Sequence, residues 1–346
     1  MAVLAIAWDL ESLTQLGFLP QDFSTSATHH NAAYADGGFS TPGNSTSAAY
    51  SPTLREQEIA LSSASSDFWL HTTLYLSNFG ATDTGELLRF RSGSGGELRL
   101  RGVGSGSTAN DVNLRFEKTT NGTTWTQIGA NFLMRGAFLH QLDIRVKLHA
   151  STGDVKMYAN GVLMFSFQGD TSGQTSTVTH IIFGGLTTAS LTSLPYWAEI
   201  VAADEPTFDW HVATLPVTGA GNHTQWTGTF ADVDEAGINY ADLITTNTTN
   251  NQQTFAVTNT QSGQTNNNSI KAVAVASRTA ITTDATPSDV QHLLRSGGTT
   301  FATASLSVPK DSNYHSRVSL YLTDPNTSAA WTTGGVDAME VGIKAV

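Results

Sequence analysis

Few side chains in this sequence of 346 residues are spaced for bond-making chemistry. Two carboxylates one residue apart on a strand share a face, and glycoside hydrolysis needs such a pair within about 5–10 Å of one another. Asp232-Val233-Asp234 is the nearest such pair, but Gly237 and Asn239 follow it, a setting in which carboxylates cap turns. Glu56 and Glu58 also share a face, with Leu54, Ile59 and Leu61 around them, as on the solvent edge of a strand. The pattern Glu-x-Asp-x-x-Glu is absent, as are His-Glu-x-x-His and a Gly-x-Ser-x-Gly with a partner acid. With no cysteine there is no thiol nucleophile, thiolate metal site or disulfide. The glycine-rich stretches Gly93–Gly96 and Gly102–Gly106 lack a following Lys-Thr or Lys-Ser and a helix, so they read as hairpin turns rather than phosphate cradles. His29-His30 has no third ligand and reads as solvated. The expectation is a protein that is not an enzyme.

Binding leaves different marks. Aromatic rings beside Asn and Asp can stack on sugar faces, and Trp125, Trp197 (after Tyr196) and Trp210 are the candidates, against the ordinary half-core role of tryptophan in a sandwich. Nucleic acid is excluded on charge. The net charge is −12, residues 1–203 carrying 11 basic against 16 acidic side chains and residues 204–346 carrying 6 against 13. The densest basic stretch, Arg89 to Arg101, alternates with apolar residues as a strand does, so neither half is expected to offer a basic face.

The elements that must position these residues are strands. Thr, Ser, Asn and Gly crowd the spaces between short apolar runs, and only 13% of residues are charged. From Glu58 onward, runs of four to eleven residues recur between turn residues, and Leu142 to Leu148 alternates strictly, one face buried and one wet. Asn160-Gly161 lies between two such runs and demands a type I′ hairpin; Asn121-Gly122 marks another turn. Asp204-Glu205-Pro206-Thr207 divides the chain into domains 1–203 and 204–346. The opening, Ala2 to Trp8, is a first strand or a docking strand for a neighbouring subunit. Met1 to Ala7 is too short to span a membrane, and no Lys or Arg precedes it as a signal peptide requires.

The order of a Trp69-containing strand, His140 to Val146, then Gly153 to Gly161 with its Tyr-x-Asn-Gly, resembles concanavalin A-like, laminin-G-like jelly rolls over residues 35–203. Residues 205–346 resemble a C-terminal module of tailed-phage structural proteins. The shared stretches are Gly221 to Thr227, Val233-Asp234-Glu235, Leu294 to Gly298, Tyr321 to Thr327, Ala330-Trp331-Thr332 and Val336 to Lys344.

The resemblances imply an all-β protein, an N-terminal concanavalin A-like jelly-roll sandwich followed by a second antiparallel β-sandwich-like domain. The implied role is a structural protein of a tailed-phage virion, an exterior appendage of tail or capsid contributing to host attachment. The alternative is a glycan-binding receptor adhesin, with a polysaccharide depolymerase behind it. Implied partners are other virion proteins, copies of itself in a homotrimer or other symmetric oligomer, and a host surface glycan. The implied location is the virion, assembled in host cytoplasm without membrane insertion. No cofactor is implied beyond a calcium ion at a loop edge, for which Asp154, Asn160 and Asp170 are the kind of oxygen ligand required.

Overall fold

The computed structural model describes residues 3–9, 29–30, 47–48, 57–76, 84–92, 95–103, 111–135, 139–183, 195–208, 210, 212–213, 215–234, 242–260, 269–282, 286–310, 312 and 314–346. They fall into two compact units, divided along the main chain between Val212 and Ala213. Both are antiparallel β, and among the described residues no helix is long and apolar enough to cross a membrane.

The first unit contains β1 (Val3–Asp9), β2 (His29–His30), β3 (Ser47–Ala48), β4 (Gln57–Ser65), β5 (Asp67–Leu76), β6 (Thr84–Ser92) and β7 (Gly95–Val103). It continues with β8 (Asp111–Lys118), β9 (Thr126–Arg135), β10 (Leu139–Lys147), β11 (Gly153–Ala159), β12 (Val162–Gly169), β13 (Val178–Phe183) and β14 (Pro195–Ala203). Twelve of these strands form a jelly-roll sandwich. Its first sheet runs β1-β14-β5-β10-β11-β12 and its second β4-β13-β6-β7-β8-β9, with β2 and β3 paired apart.

Period-2 alternation builds the core. Phe68, Leu70 and Leu74 of β5 and Leu142, Ile144 and Val146 of β10 face Leu88, Phe90, Leu98, Leu100, Leu114 and Phe116 of the second sheet. Rings interlock between the sheets, Phe68 with Phe90 at 5.8 Å, Phe116 with Phe165 at 4.9 Å and Phe183 with Trp197 at 5.3 Å. Each buried side chain of this size contributes about 1.5–3 kcal/mol. The Asn160-Gly161 turn joins β11 to β12 with φ of 50° and 75°, as a type I′ hairpin requires, and Asn160 Oδ1 accepts the Gln141 amide at 2.9 Å.

The opening segment and the stretch after β14 both belong to the first unit. The opening segment is taken up by its own sheet: β1 pairs with β14, and Val3, Leu4 and Ala5 are buried. The stretch Asp204 to Thr207 is no bare connector, because Thr207 is wholly buried against the first sheet.

The second unit contains β15 (Val217–Thr224), a 3-10 turn (Phe230–Asp232), β16 (Gln252–Val257), β17 (Val273–Thr279), β18 (Asp289–Ser296), β19 (Thr299–Ala302), β20 (Leu306–Ser307), β21 (His315–Tyr321), α1 (Thr333–Asp337) and β22 (Glu340–Ala345). One sheet runs β15-β16-β22-β18-β19 with β20 on β18, and β17 pairs with β21. Among the described residues between Trp210 and Leu215 there is no strand.

The motifs that carry the resemblance of residues 205–346 build this scaffold. Ala220 opposes Phe255 and Thr224 opposes Gln253, so Gly221-Asn222-His223 bulges out of the ladder. A Cβ on Gly221 would lie 2.5 Å from Glu340 Oε2, and that oxygen accepts from the Asn222 amide (2.7 Å) and the Thr254 hydroxyl (2.7 Å). Asp324 folds its own turn, accepting from the Asn326 amide and the Thr327 hydroxyl. Trp331 Nε1 donates to the Tyr321 carbonyl at 2.9 Å, and Thr332 caps α1 through the Gly335 amide.

Candidate functional site

Cross-strand register places three rows of side chains on the outward face of the first sheet. The first is His71, Asp143 and Tyr158, the second Trp69, Arg145 and Lys156, the third Asp67, Lys147, Asp154 and Gln168. The first row is closed. His71 Nδ1 lies 3.0 Å from Asp143 Oδ1, and the Thr207 hydroxyl donates to the same oxygen at 2.8 Å. Beside them the Thr73 hydroxyl donates to Glu199 Oε2 at 2.9 Å, Glu199 standing at φ 52° in a bulge of β14. Phe208 then covers the aromatic pair, 5.1 Å from Trp69 and 4.8 Å from Tyr158. The face expected to be wet is therefore partly roofed by residues 207 and 208.

The third row is open. Arg145, Lys147, Ser151, Thr152, Gly153, Asp154, Gln168 and Gly169 line a shallow cleft of ≈ 420 Å³. Arg145 bridges Asp154 at 2.9 Å and Asp67 at 3.2 Å, and Lys156 meets Asp154 at 3.0 Å. Burial opposes the Arg145 charge, but the two carboxylates outweigh it and raise its pKa. Lys147 makes no ion pair among the described residues, and Asp154 Oδ1 has no hydrogen-bond partner among them. A Cβ on Gly153 would strike the Thr171 hydroxyl at 1.9 Å, so only glycine lets β11 enter the cleft floor.

The outward face of the second sheet is an arginine network. Arg89 opposes Arg99 and Arg101 opposes Arg115 across the strands. Glu86 accepts from Arg89 at 2.6 Å and from Arg99 at 3.3 Å. Glu117 takes Arg99 at 2.6 Å, Arg115 more closely still, and Arg101 at 3.9 Å. Burial, then the charges of Arg99 and Arg115 acting against the pull of Glu117, hold Arg101 below the ordinary arginine pKa. Glu97, fully buried, is engaged instead by the amide and hydroxyl of Thr175. Arg115 joins from β8 and the two glutamates lie beneath the guanidiniums, so arginine is what this part of an acidic unit exposes.

The three tryptophan candidates part company. Trp125 is half-buried on the β8–β9 turn with the Arg99 guanidinium 4.1 Å over its ring. Trp197 is fully buried in the sandwich core against Phe183 and has no face for a sugar, which corrects the sequence reading. Trp210 is half-buried, its amide donating to the Thr207 carbonyl. The oxygen groups considered for calcium are apart: Asp154 is ion-paired, Asn160 holds the Gln141 amide, and Asp170 binds Lys118 and Ser172, which pull its pKa down to about 2. No group of three or more His, Cys, Asp or Glu able to hold a metal occurs among the described residues. Asp232 caps its own turn through the Thr229 amide at 2.6 Å, while Glu56 lies outside the described residues.

Sequence reading missed the cleft, whose lining comes from β10, β11, β12 and the turn between β10 and β11. The available signal was the charged alternation of Asp143, Arg145 and Lys147 next to Asp154 and Lys156, taken as a plain solvent face.

No family model and no curated protein matches the chain. Solved structures similar to it include the alginate lyase Aly36B, 13% identical with a TM-score of 0.34, covering 46% of this chain and 75% of that one. The carbohydrate-binding module CBM66 from Bacillus subtilis is 15% identical with a TM-score of 0.29, covering 42% and 81%. The Caenorhabditis elegans galectin LEC-6 is 15% identical with a TM-score of 0.27, covering 43% and 90%. Each covers less than half of this chain, and likeness at this level bears on neither chemistry nor ligand.

Proposed function

We propose that the protein is a non-enzymatic saccharide-recognition and structural component of a tailed-phage particle. The observation that carries recognition is the open cleft, where Lys147, Gln168, Ser151 and Thr152 converge as hydrogen-bonding groups for hydroxyls. Binding is favoured over hydrolysis because the lining holds one carboxylate, already paired with Arg145 and Lys156, where glycoside hydrolysis needs two. It also contains no histidine or tyrosine to take up a proton. Placement on a virion is supported by the resemblance of residues 205–346, whose shared residues form a bulge, a turn and a cap rather than a site.

Replacing Lys147 and Gln168 together by alanine should weaken binding of host surface glycan at least about tenfold, the equivalent of ~1.4 kcal/mol. The thermal midpoint should stay unchanged. Equal binding by the variant in calorimetric titration would remove the cleft from the proposal. Incubation with capsule or lipopolysaccharide should release no reducing sugar; steady release would make the protein a depolymerase. Mass spectrometry of purified particles should find this chain in several copies, consistent with a trimeric or other symmetric appendage, and its absence would sink the virion placement.

A further inference from the structure

We infer that the outward face of the second sheet in the first unit is a separate binding surface for an anionic polysaccharide. Strand pairing sets Arg89 against Arg99 and Arg101 against Arg115, and like charges directly opposed on a sheet are destabilising by themselves. Within the network Glu86 and Glu117 are shared by four guanidiniums, on strands that also carry Arg91, Glu97 and Asp111. The carboxylates lie beneath. Glu86 and Glu117 side chains are 5% and 3% exposed, whereas Arg101 and Arg115 are 31% and 28% exposed. What the face presents outward is guanidinium, held in place from below by buried carboxylates.

Arginine's planar fork matches carboxylate and sulfate groups, and here its geometry is set before any ligand arrives. Arg101 is the most exposed of the four, and Glu117 comes no nearer to it than 3.9 Å. Trp125, half-buried at the edge of the network, holds the Arg99 guanidinium over its ring. Same-face neighbours on adjacent strands are ~5 Å apart and along a strand roughly 7 Å, so the face suits charges repeated along a chain. Nucleic acid is disfavoured, because its binding grows with the number of phosphates neutralised and this small arginine cluster is surrounded by an acidic protein.

The test uses the full chain with polygalacturonate, neutral dextran and single-stranded DNA, titrated at 50 and 200 mM salt. Polygalacturonate should bind, and with two contacts released its affinity should fall about sevenfold between the two salts. Arg101→Gln with Arg115→Gln should reduce binding about tenfold or more, and Arg101→Lys with Arg115→Lys should recover only part of it, since lysine keeps the charge without the fork. Arg101→Gln alone, which leaves the Glu117 contacts to Arg99 and Arg115 in place, should cost about threefold and decides the matter if the double variant does not fold. Dextran bound as tightly as polygalacturonate, DNA bound more tightly, or arginine variants that bind like the parent would overturn the inference. The Lys147/Gln168 variant should bind polygalacturonate normally, so failure of the cleft and failure of this face are read separately.

Discussion

Replacing Glu117 by alanine is expected to destabilise the first unit by about 3–5 kcal/mol, the usual cost of removing one partner from a buried ion pair. The carboxylate is 3% exposed and holds Arg99, Arg115 and, at longer range, Arg101. Without it Arg115 loses the carboxylate that it contacts, Arg99 keeps the longer contact to Glu86, and the opposed pair Arg101/Arg115 is left close. Urea unfolding followed by circular dichroism measures the loss. Adding Arg99→Ala to the same chain should recover part of it, since the orphaned charge goes as well, and the double-mutant cycle gives the coupling. A loss under about 1 kcal/mol would mean that the network is solvated and behaves as a surface ion pair.

The second large effect is acid destabilisation of the second unit through His292. Its side chain is fully buried between two serines, Nε2 2.8 Å from Ser277 on β17 and Nδ1 2.8 Å from Ser319 on β21, so one imidazole ties β18 to the paired strands. A neutral ring satisfies both hydroxyls, donating to one and accepting from the other. Burial, with the charge of Arg317 adding to it, lowers its pKa from 6.5 to about 4. The unfolded chain therefore binds a proton that the folded one refuses between those values. Stability is intact above pH 6.5, falls as pH drops towards 4, and is lower by roughly 3 kcal/mol once both states are protonated. The measurement is the urea midpoint of the second unit from pH 7 to pH 4.5. His292→Gln should be less stable at pH 7 yet nearly flat between pH 6.5 and 5, and a parent protein equally flat there would contradict the assignment.

What could be read from the sequence was whatever depends on local periodicity. Alternation in Leu142 to Leu148 correctly puts Leu142, Ile144 and Val146 in the core, and Asn160-Gly161 correctly makes a type I′ hairpin. The same alternation fails for Asp143, because its cover is Thr207, 64 residues away. Trp197 looked like a surface aromatic, but the bulge at Glu199 breaks the alternation of β14 and leaves the indole inside. The arginine face needed three strands, β6, β7 and β8, in register. Each read alone is an ordinary amphipathic strand, and their arginines are brought together only by pairing.

The pairing of β1 with β14 matters for the order in which the fold is made. Val3 lies opposite Ala203, so β1 has no partner until about 200 further residues have been synthesised. Chains dominated by such distant pairings fold slowly, since loop closure must be paid for before contacts reward it. In the interval β1 and the uncovered edge of β5 present unpaired amides and carbonyls beside apolar side chains, the state most open to wrong association. Refolding yield should therefore depend on protein concentration more steeply than native stability does, and nascent chains halted before β14 should be clients of chaperones.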